Sequence, residues 1–215
     1  MGASSAPDSV PSGYEHVEHV LVFTESREWL TSLGLTSVAG AFSCEAQRRG
    51  PEKALARLPA PDGSTVFVKR YDFNRPSLFV RGMLKLNFPV YSGPRELDNL
   101  LAMRAAGLPV PTPLSAGTHD VGPRRQSFVA LAELPGRPLH EVPAPAAPAD
   151  RRARVLAVAD LVQRLHSAGF WHKDLYACNL FWDPDKGLGL LDCERVERRA
   201  GGPPMRWRVK DLAAL

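Results

Sequence analysis

The chain is poor in cysteine, with three in 215 residues, at Cys44, Cys178 and Cys193. An odd, scattered count argues against a disulfide framework or a zinc site and suits a reducing cytoplasm. Long apolar runs are also missing. No stretch approaches the roughly 20 residues that a membrane span needs, and residues 1–12 lack the apolar centre of a signal peptide. Ala6 stands where a myristoylation signal has Ser or Thr. Charge of one sign is in modest excess, +4 with a pI near 9.1. The arginines fall in dispersed pairs, Arg48-Arg49, Arg124-Arg125, Arg151-Arg152 and Arg198-Arg199. These read as solvated surface, the alternative being attraction to an anionic substrate or a membrane surface; no nucleic-acid partner is expected.

What is present concentrates late in the chain. Leu165-His166-Ser167-Ala168-Gly169-Phe170-Trp171-His172-Lys173-Asp174 is followed by Asn179, five residues after Asp174, and by Asp192, thirteen further on. Transfer of the γ-phosphoryl of ATP to a hydroxyl needs a carboxylate at the incoming hydroxyl and oxygen ligands for the Mg²⁺ that clamps the phosphates. Asp174 fits the first role, and Asn179 and Asp192 fit the second. Between them, Leu180-Phe181-Trp182 and Leu188-Gly189-Leu190-Leu191 flank the turn residues Asp183 to Gly187, a hairpin that returns Asp192 towards Asn179. Cys178 and Cys193 read as small hydrophobes. His166 and His172 lack the i, i+4 spacing and the third ligand of a metal site, and read as structural hydrogen-bonding groups.

The other half of a nucleotide site is sought upstream. Two strands, Ala54 to Leu58 and Thr65 to Tyr71, surround a Pro-Asp-Gly turn. Lys69 ends an apolar, β-branched strand, where a cation is costly without an anionic partner, and is the candidate phosphate ligand. The next helical pattern, Gly93 to Gly107, carries Glu96 as its candidate partner. Taken singly the two read as surface charges; the order lysine, glutamate, loop, distal aspartate favours the functional reading. Ser127 to Glu133 forms a strand that suits a hinge. The backbone at Glu133 and Leu134 would then pair with adenine over an apolar floor at Phe181, with plain core packing as the alternative. Ser26 and Asp150 are expected to cap helices, the second presenting Val155, Val158, Ala159, Val162 and Leu165 on one face.

These motifs resemble the protein-kinase-like superfamily, and most closely the bacterial lipopolysaccharide core kinases that phosphorylate Kdo or heptose. The resemblance runs from about Leu30 to the C-terminus and rests on Phe67-Val68-Lys69-Arg70-Tyr71, Gly107 to Gly117, Leu165 to Tyr176, and Leu191-Asp192-Cys193-Glu194-Arg195. It implies an α+β, protein-kinase-like bilobal fold with a small antiparallel-sheet N-lobe and a short, mostly helical C-lobe. Residues 1–13 would be a flexible tail, 14–134 the N-lobe with Glu96, and 135–215 the C-lobe with the catalytic loop and metal site. It also implies an ATP- and Mg²⁺-dependent kinase of an anionic saccharide or glycolipid, with peripheral contact at the cytoplasmic face of the inner membrane. Alternatives are a kinase of small molecules or proteins, or a nucleotide-binding pseudokinase scaffold. Arg195 is a further candidate, for structure or substrate. The chain departs from protein kinases in three places. Arg48-Arg49-Gly50 stands where a glycine-rich loop is expected, Tyr176 replaces the lysine two residues after the catalytic aspartate, and 23 residues follow Asp192, too few for a peptide platform. Lys210 to Leu215 reads as the start of a helix, with Asp211 either an anchor beneath the loop or an exposed carboxylate.

Overall fold

The computed structural model describes residues 10–50, 52–74 and 92–215. The expected N-terminal tail falls mainly outside the described residues. The chain forms two compact units, the first drawn from residues up to Pro94 with Pro113–Leu131, the second from Arg95–Thr112 with Ala132–Leu215.

The first unit is a seven-stranded sheet. Its strands are Tyr14–Val17 (β1), Val20–Phe23 (β2), Arg48–Arg49 (β3), Lys53–Pro59 (β4), Thr65–Asn74 (β5), Pro113–Val121 (β6) and Arg124–Ala132 (β7), in the order β1-β2-β6-β7-β5-β4-β3. Strands β4 and β5 pair antiparallel from Pro59↔Thr65 to Lys53↔Tyr71, longer than the sequence pattern predicts at each outer end. Their turn is fixed by Gly63 at φ +83° and by Asp62, whose Oδ1 accepts from the Ser64 amide and hydroxyl. Alternation along β5 buries Val66, Val68 and Arg70 and leaves Lys69 on the other face, half-exposed. The costly cation on this strand is thus Arg70, which the sequence reading passed over. Its Nη1 donates to the carbonyls of Ala41, Phe42 and Cys44 at 3.3, 2.8 and 2.9 Å. Those carbonyls close the helix Val38–Ser43 (α2), where four C=O groups have no helical partner and the dipole favours a cation.

Ser37 caps α2, accepting from the Gly40 amide at 3.0 Å. Ser26 does not cap Arg27–Ser32 (α1), contrary to expectation: its backbone already turns helically at φ −105°, ψ 0°, so its side chain makes no capping hydrogen bond.

The second unit holds most of Gly93–Ala105 (α3), together with Pro148–Ser167 (α4) and Met205–Ala213 (α5). The hairpin Leu180–Asp183 (β10) and Gly187–Leu190 (β11) extends to Arg137–Pro138 (β8), and Phe170–Trp171 (β9) pairs with Glu197–Arg198 (β12). Helix α4 starts at Pro148 behind Ala147, so Asp150 lies in the first turn, where it meets the helix dipole without capping. Its buried face is Leu161, Val162, Leu165 and His166. Val155, expected inside, is 67% exposed: among the described residues, the first half of α4 lines an open apolar groove of about 560 Å³ with Leu139, Val142 and Leu212. Pro203-Pro204 sets the start of α5 well before Lys210, which puts Asp211 in the last turn of that helix instead of its first.

Candidate active site

The loop that follows α4 is shaped by backbone hydrogen bonds to one buried side chain. Asp211 has no exposed surface. Its carboxylate accepts from the His172 amide at 2.9 Å and the Lys173 amide at 2.8 Å, and its Oδ2 lies 3.1 Å from His166 Nε2. Burial pushes the Asp211 pKa up, and these donors outweigh it, holding the carboxyl below the ordinary carboxylate range. Of the two roles the sequence allowed for Asp211, the anchor is the one observed. His166 and His172 are both buried and hydrogen-bonded, as expected. His172 Nε2 meets the Leu191 carbonyl at 2.8 Å, so Nε2 carries the proton and donates, while Nδ1 is buried with no partner among the described residues. Burial holds its pKa below the ordinary value, which keeps the ring neutral.

Lys173, held by Asp211, adopts φ +70°, a left-handed conformation that a non-glycine residue takes only when its surroundings enforce it. The chain thereby turns, buries Leu175 and presents Asp174 at 17% side-chain exposure. Asn179 is tied into the same loop. Its Nδ2 donates to the Asp174 carbonyl at 2.8 Å and its amide to the Tyr176 carbonyl at 2.8 Å, while its own carbonyl accepts the Leu191 amide at 2.8 Å. The hairpin register Leu180↔Leu190 makes that last bond possible. Asp192 follows at φ +59° and opens the turn Cys193–Arg195. Arg195 then reaches back across the loop: its Nη1 donates to Asp174 Oδ1 at 2.7 Å and Oδ2 at 2.9 Å. Asn99 of α3, which the sequence reading missed, donates to the Cys193 and Val196 carbonyls at 2.9 and 3.1 Å and so pins that turn. An amide on a helix face gives no sign in sequence of which carbonyls it will meet.

The structure therefore brings Asp174, Asn179 and Asp192 together on one loop and hairpin and adds Arg195 to them. Asn179 uses its side-chain nitrogen on the loop, which turns Oδ1 to the role of acceptor; with the Asp192 carboxylate this is a pair of hard oxygens, the donor type that Mg²⁺ takes. Among the described residues no group of three or more His, Cys, Asp or Glu could hold a metal, so phosphate oxygens and water would complete the shell. Leu134 lies on Gly189, where a Cβ would come within 2.8 Å of Leu134 Cδ2, and Gly189 is the cross-strand partner of Phe181. Leu134 thus packs on the β10–β11 hairpin at the residue paired with Phe181, while Glu133 is exposed. Lys69 stands on β5 in the first unit; Glu96, fully buried, belongs to the second.

Residues 52–215 match the lipopolysaccharide kinase (Kdo/WaaP) family, well over half of the chain. The chain belongs to this family. Among its relatives, the lipopolysaccharide core heptose(I) kinase WaaP of Pseudomonas aeruginosa is 32% identical over 170 residues, covering 72% of this chain and 62% of the relative. A 3-deoxy-D-manno-octulosonic acid kinase of Stenotrophomonas maltophilia is 32% identical over 120 residues, covering 56% of this chain and 47% of the relative. A solved structure of WaaP in complex with acyl carrier protein is similar at TM-score 0.65 and 26% identity, over 87% of this chain and 77% of that one. The chain spans under two thirds of the length of the curated relatives. The Kdo/WaaP assignment carries with it the kinase-like α+β fold expected from the motifs, and the matched segment contains Lys69, Glu96, Asp174, Asn179, Asp192 and Arg195.

Proposed function

We propose that this chain transfers the γ-phosphoryl of ATP to a sugar hydroxyl of the lipopolysaccharide inner core, on heptose or Kdo. The observation that carries the reading is the Asp174 carboxylate, presented by a strained loop beside Asn179 and Asp192, in a chain of the Kdo/WaaP family. Asp174 orients the acceptor hydroxyl and takes its proton late in the transfer. Asn179 and Asp192 would hold Mg²⁺, which when bound offsets phosphate charge and orients the transferring group. Lys69 binds the phosphates, and the Glu133–Leu134 backbone with Phe181 receives the adenine. No described helix is long and apolar enough to cross a membrane; a glycolipid acceptor places the chain peripherally at the cytoplasmic face of the inner membrane. The WaaP relative solved with acyl carrier protein makes such a carrier a candidate partner here too.

The test is mass spectrometry of dephosphorylated core oligosaccharide incubated with the protein, ATP and Mg²⁺, with heptose-bearing and Kdo-only acceptors in parallel. Asp174→Ala should lower turnover by about 10³-fold or more while ATP affinity stays within about threefold. Turnover equal to the parent's would remove Asp174 from the chemistry, and acceptors left unmodified by the parent protein would remove the sugar assignment.

A further inference from the structure

The lysine that protein kinases place two residues after the catalytic aspartate is Tyr176 here, and its side chain is largely exposed. A phosphoryl group in flight spreads negative charge over three oxygens, and without that lysine some other cation near Asp174 has to meet it. Lys173 is adjacent in sequence but is committed elsewhere. Its ammonium pairs with Glu197 and lies 5.0 Å from the centre of the Trp207 ring. Arg195 is differently placed. One nitrogen, Nη1, donates to both Asp174 oxygens at 2.7 and 2.9 Å. Among the described residues its buried Nε has no partner and Nη2 makes no hydrogen bond. The side chain is 32% exposed, and its turn is held from behind by Asn99. A guanidinium fixed in this way has one edge committed to the carboxylate and N–H groups to spare within a few ångströms of where the acceptor oxygen must sit.

From this geometry we propose that Arg195 is the catalytic cation that takes the place of the missing loop lysine, holding Asp174 with Nη1 and meeting the transferring phosphoryl with Nη2. The inference rests on the phosphoryl-transfer reading above. In the step, the acceptor oxygen forms its bond to the γ-phosphorus as the bond from that phosphorus to the β–γ bridging oxygen breaks. The hydroxyl proton passes to Asp174 and ADP leaves. Arg195 exchanges no proton and no electrons; it offsets the charge that builds on the phosphoryl oxygens while they are in transit. Arginine suits both tasks at once, because its planar fork offers donors on two edges where an ammonium offers a single point of charge.

The experiment compares the parent chain with Arg195→Met, which keeps length and loses charge, and with Arg195→Lys, using heptose-bearing core oligosaccharide and ATP. Arg195→Met should lower kcat by about 10²–10³-fold with KM for ATP within about threefold, and its thermal unfolding should stay cooperative. Millimolar guanidinium should return about tenfold or more of the lost kcat to Arg195→Met and nothing to the parent; Arg195→Lys should fall between the two. A kcat for Arg195→Met within about threefold of the parent overturns the proposal, and so does a loss that neither guanidinium nor lysine relieves, the pattern of a merely structural arginine. A parent chain that binds ATP but transfers no phosphate in an Asp174-dependent way overturns the kinase reading itself, and this inference with it.

Discussion

Asp211 and Lys173 are 38 residues apart in the chain, yet the Lys173 amide donates to Asp211 Oδ1 over 2.8 Å. With the His172 amide and His166 on the other carboxylate oxygen, this contact holds a left-handed lysine that would otherwise relax, at a cost of about 1–2 kcal/mol. Helix α5 is thus the clamp that sets the direction of Asp174. Asp211→Asn would turn an NH₂ group towards one of the amide donors and leave it unpaired in the interior. It should destabilise the second unit by about 3 kcal/mol, measured by urea unfolding, and lower phosphoryl transfer by more than the folded fraction accounts for.

The neutral, buried His172 gives a pH dependence with a definite sign. Its folded pKa lies below the ordinary 6.5 because burial disfavours the charged ring. As the pH falls through about 6.5 the unfolded chain takes up a proton that the folded chain refuses, so stability is full above that pH and declines below it, down to the folded pKa. Asp211, also lowered, adds a second decline only below its ordinary 3.8. Melting temperatures between about pH 7.5 and pH 5.5 should fall in the parent. His172→Gln, which keeps a donor for the Leu191 carbonyl and cannot titrate, should flatten that slope.

Gly189 is the place to test the adenine assignment. A side chain there would strike Leu134, whose Cδ2 and Cδ1 lie within 2.8 and 3.1 Å of a Cβ position. Gly189→Val should displace Leu134 and raise KM for ATP by about tenfold, with kcat changed less than about threefold. Steady-state kinetics at saturating acceptor distinguish this from plain core packing at Leu134 and Phe181, which predicts loss of stability with KM unmoved.

Metal dependence should follow the two proposed oxygen ligands, Asn179 and Asp192. Asp192→Asn removes a charge that a hard cation favours and should raise the Mg²⁺ concentration for half-maximal turnover by about tenfold or more. Asn179→Ala should do so as well, but it also deletes the bond to the Asp174 carbonyl, so its kcat should drop further. Titration of Mg²⁺ at fixed ATP measures both.

The local elements that carry the candidate side chains were readable in the amino-acid sequence because local chemistry encodes them. The spacing from Asp174 to Asn179, the turn Asp183 to Gly187 between an apolar triad and an apolar tetrad, and the centres of the β4 and β5 runs each depend on neighbours a few residues away, and they appear where that chemistry puts them. Helix ends were less legible. Ser26 and Asp150 have capping side chains, but the backbone before them was already turning.

What only the tertiary structure decided is long-range. Which of Lys69 and Arg70 is buried depends on the carbonyls of α2, nearly thirty residues away, lying against one face of β5. Whether Asp211 is an anchor or a surface carboxylate depends on α5 bringing it beneath two amides of a distant loop. Arg195 became more than a general candidate once its guanidinium was seen on Asp174, 21 residues earlier. A hydrogen bond between distant residues leaves no periodicity in the chain; it exists only when packing brings donor and acceptor within about 3 Å of each other.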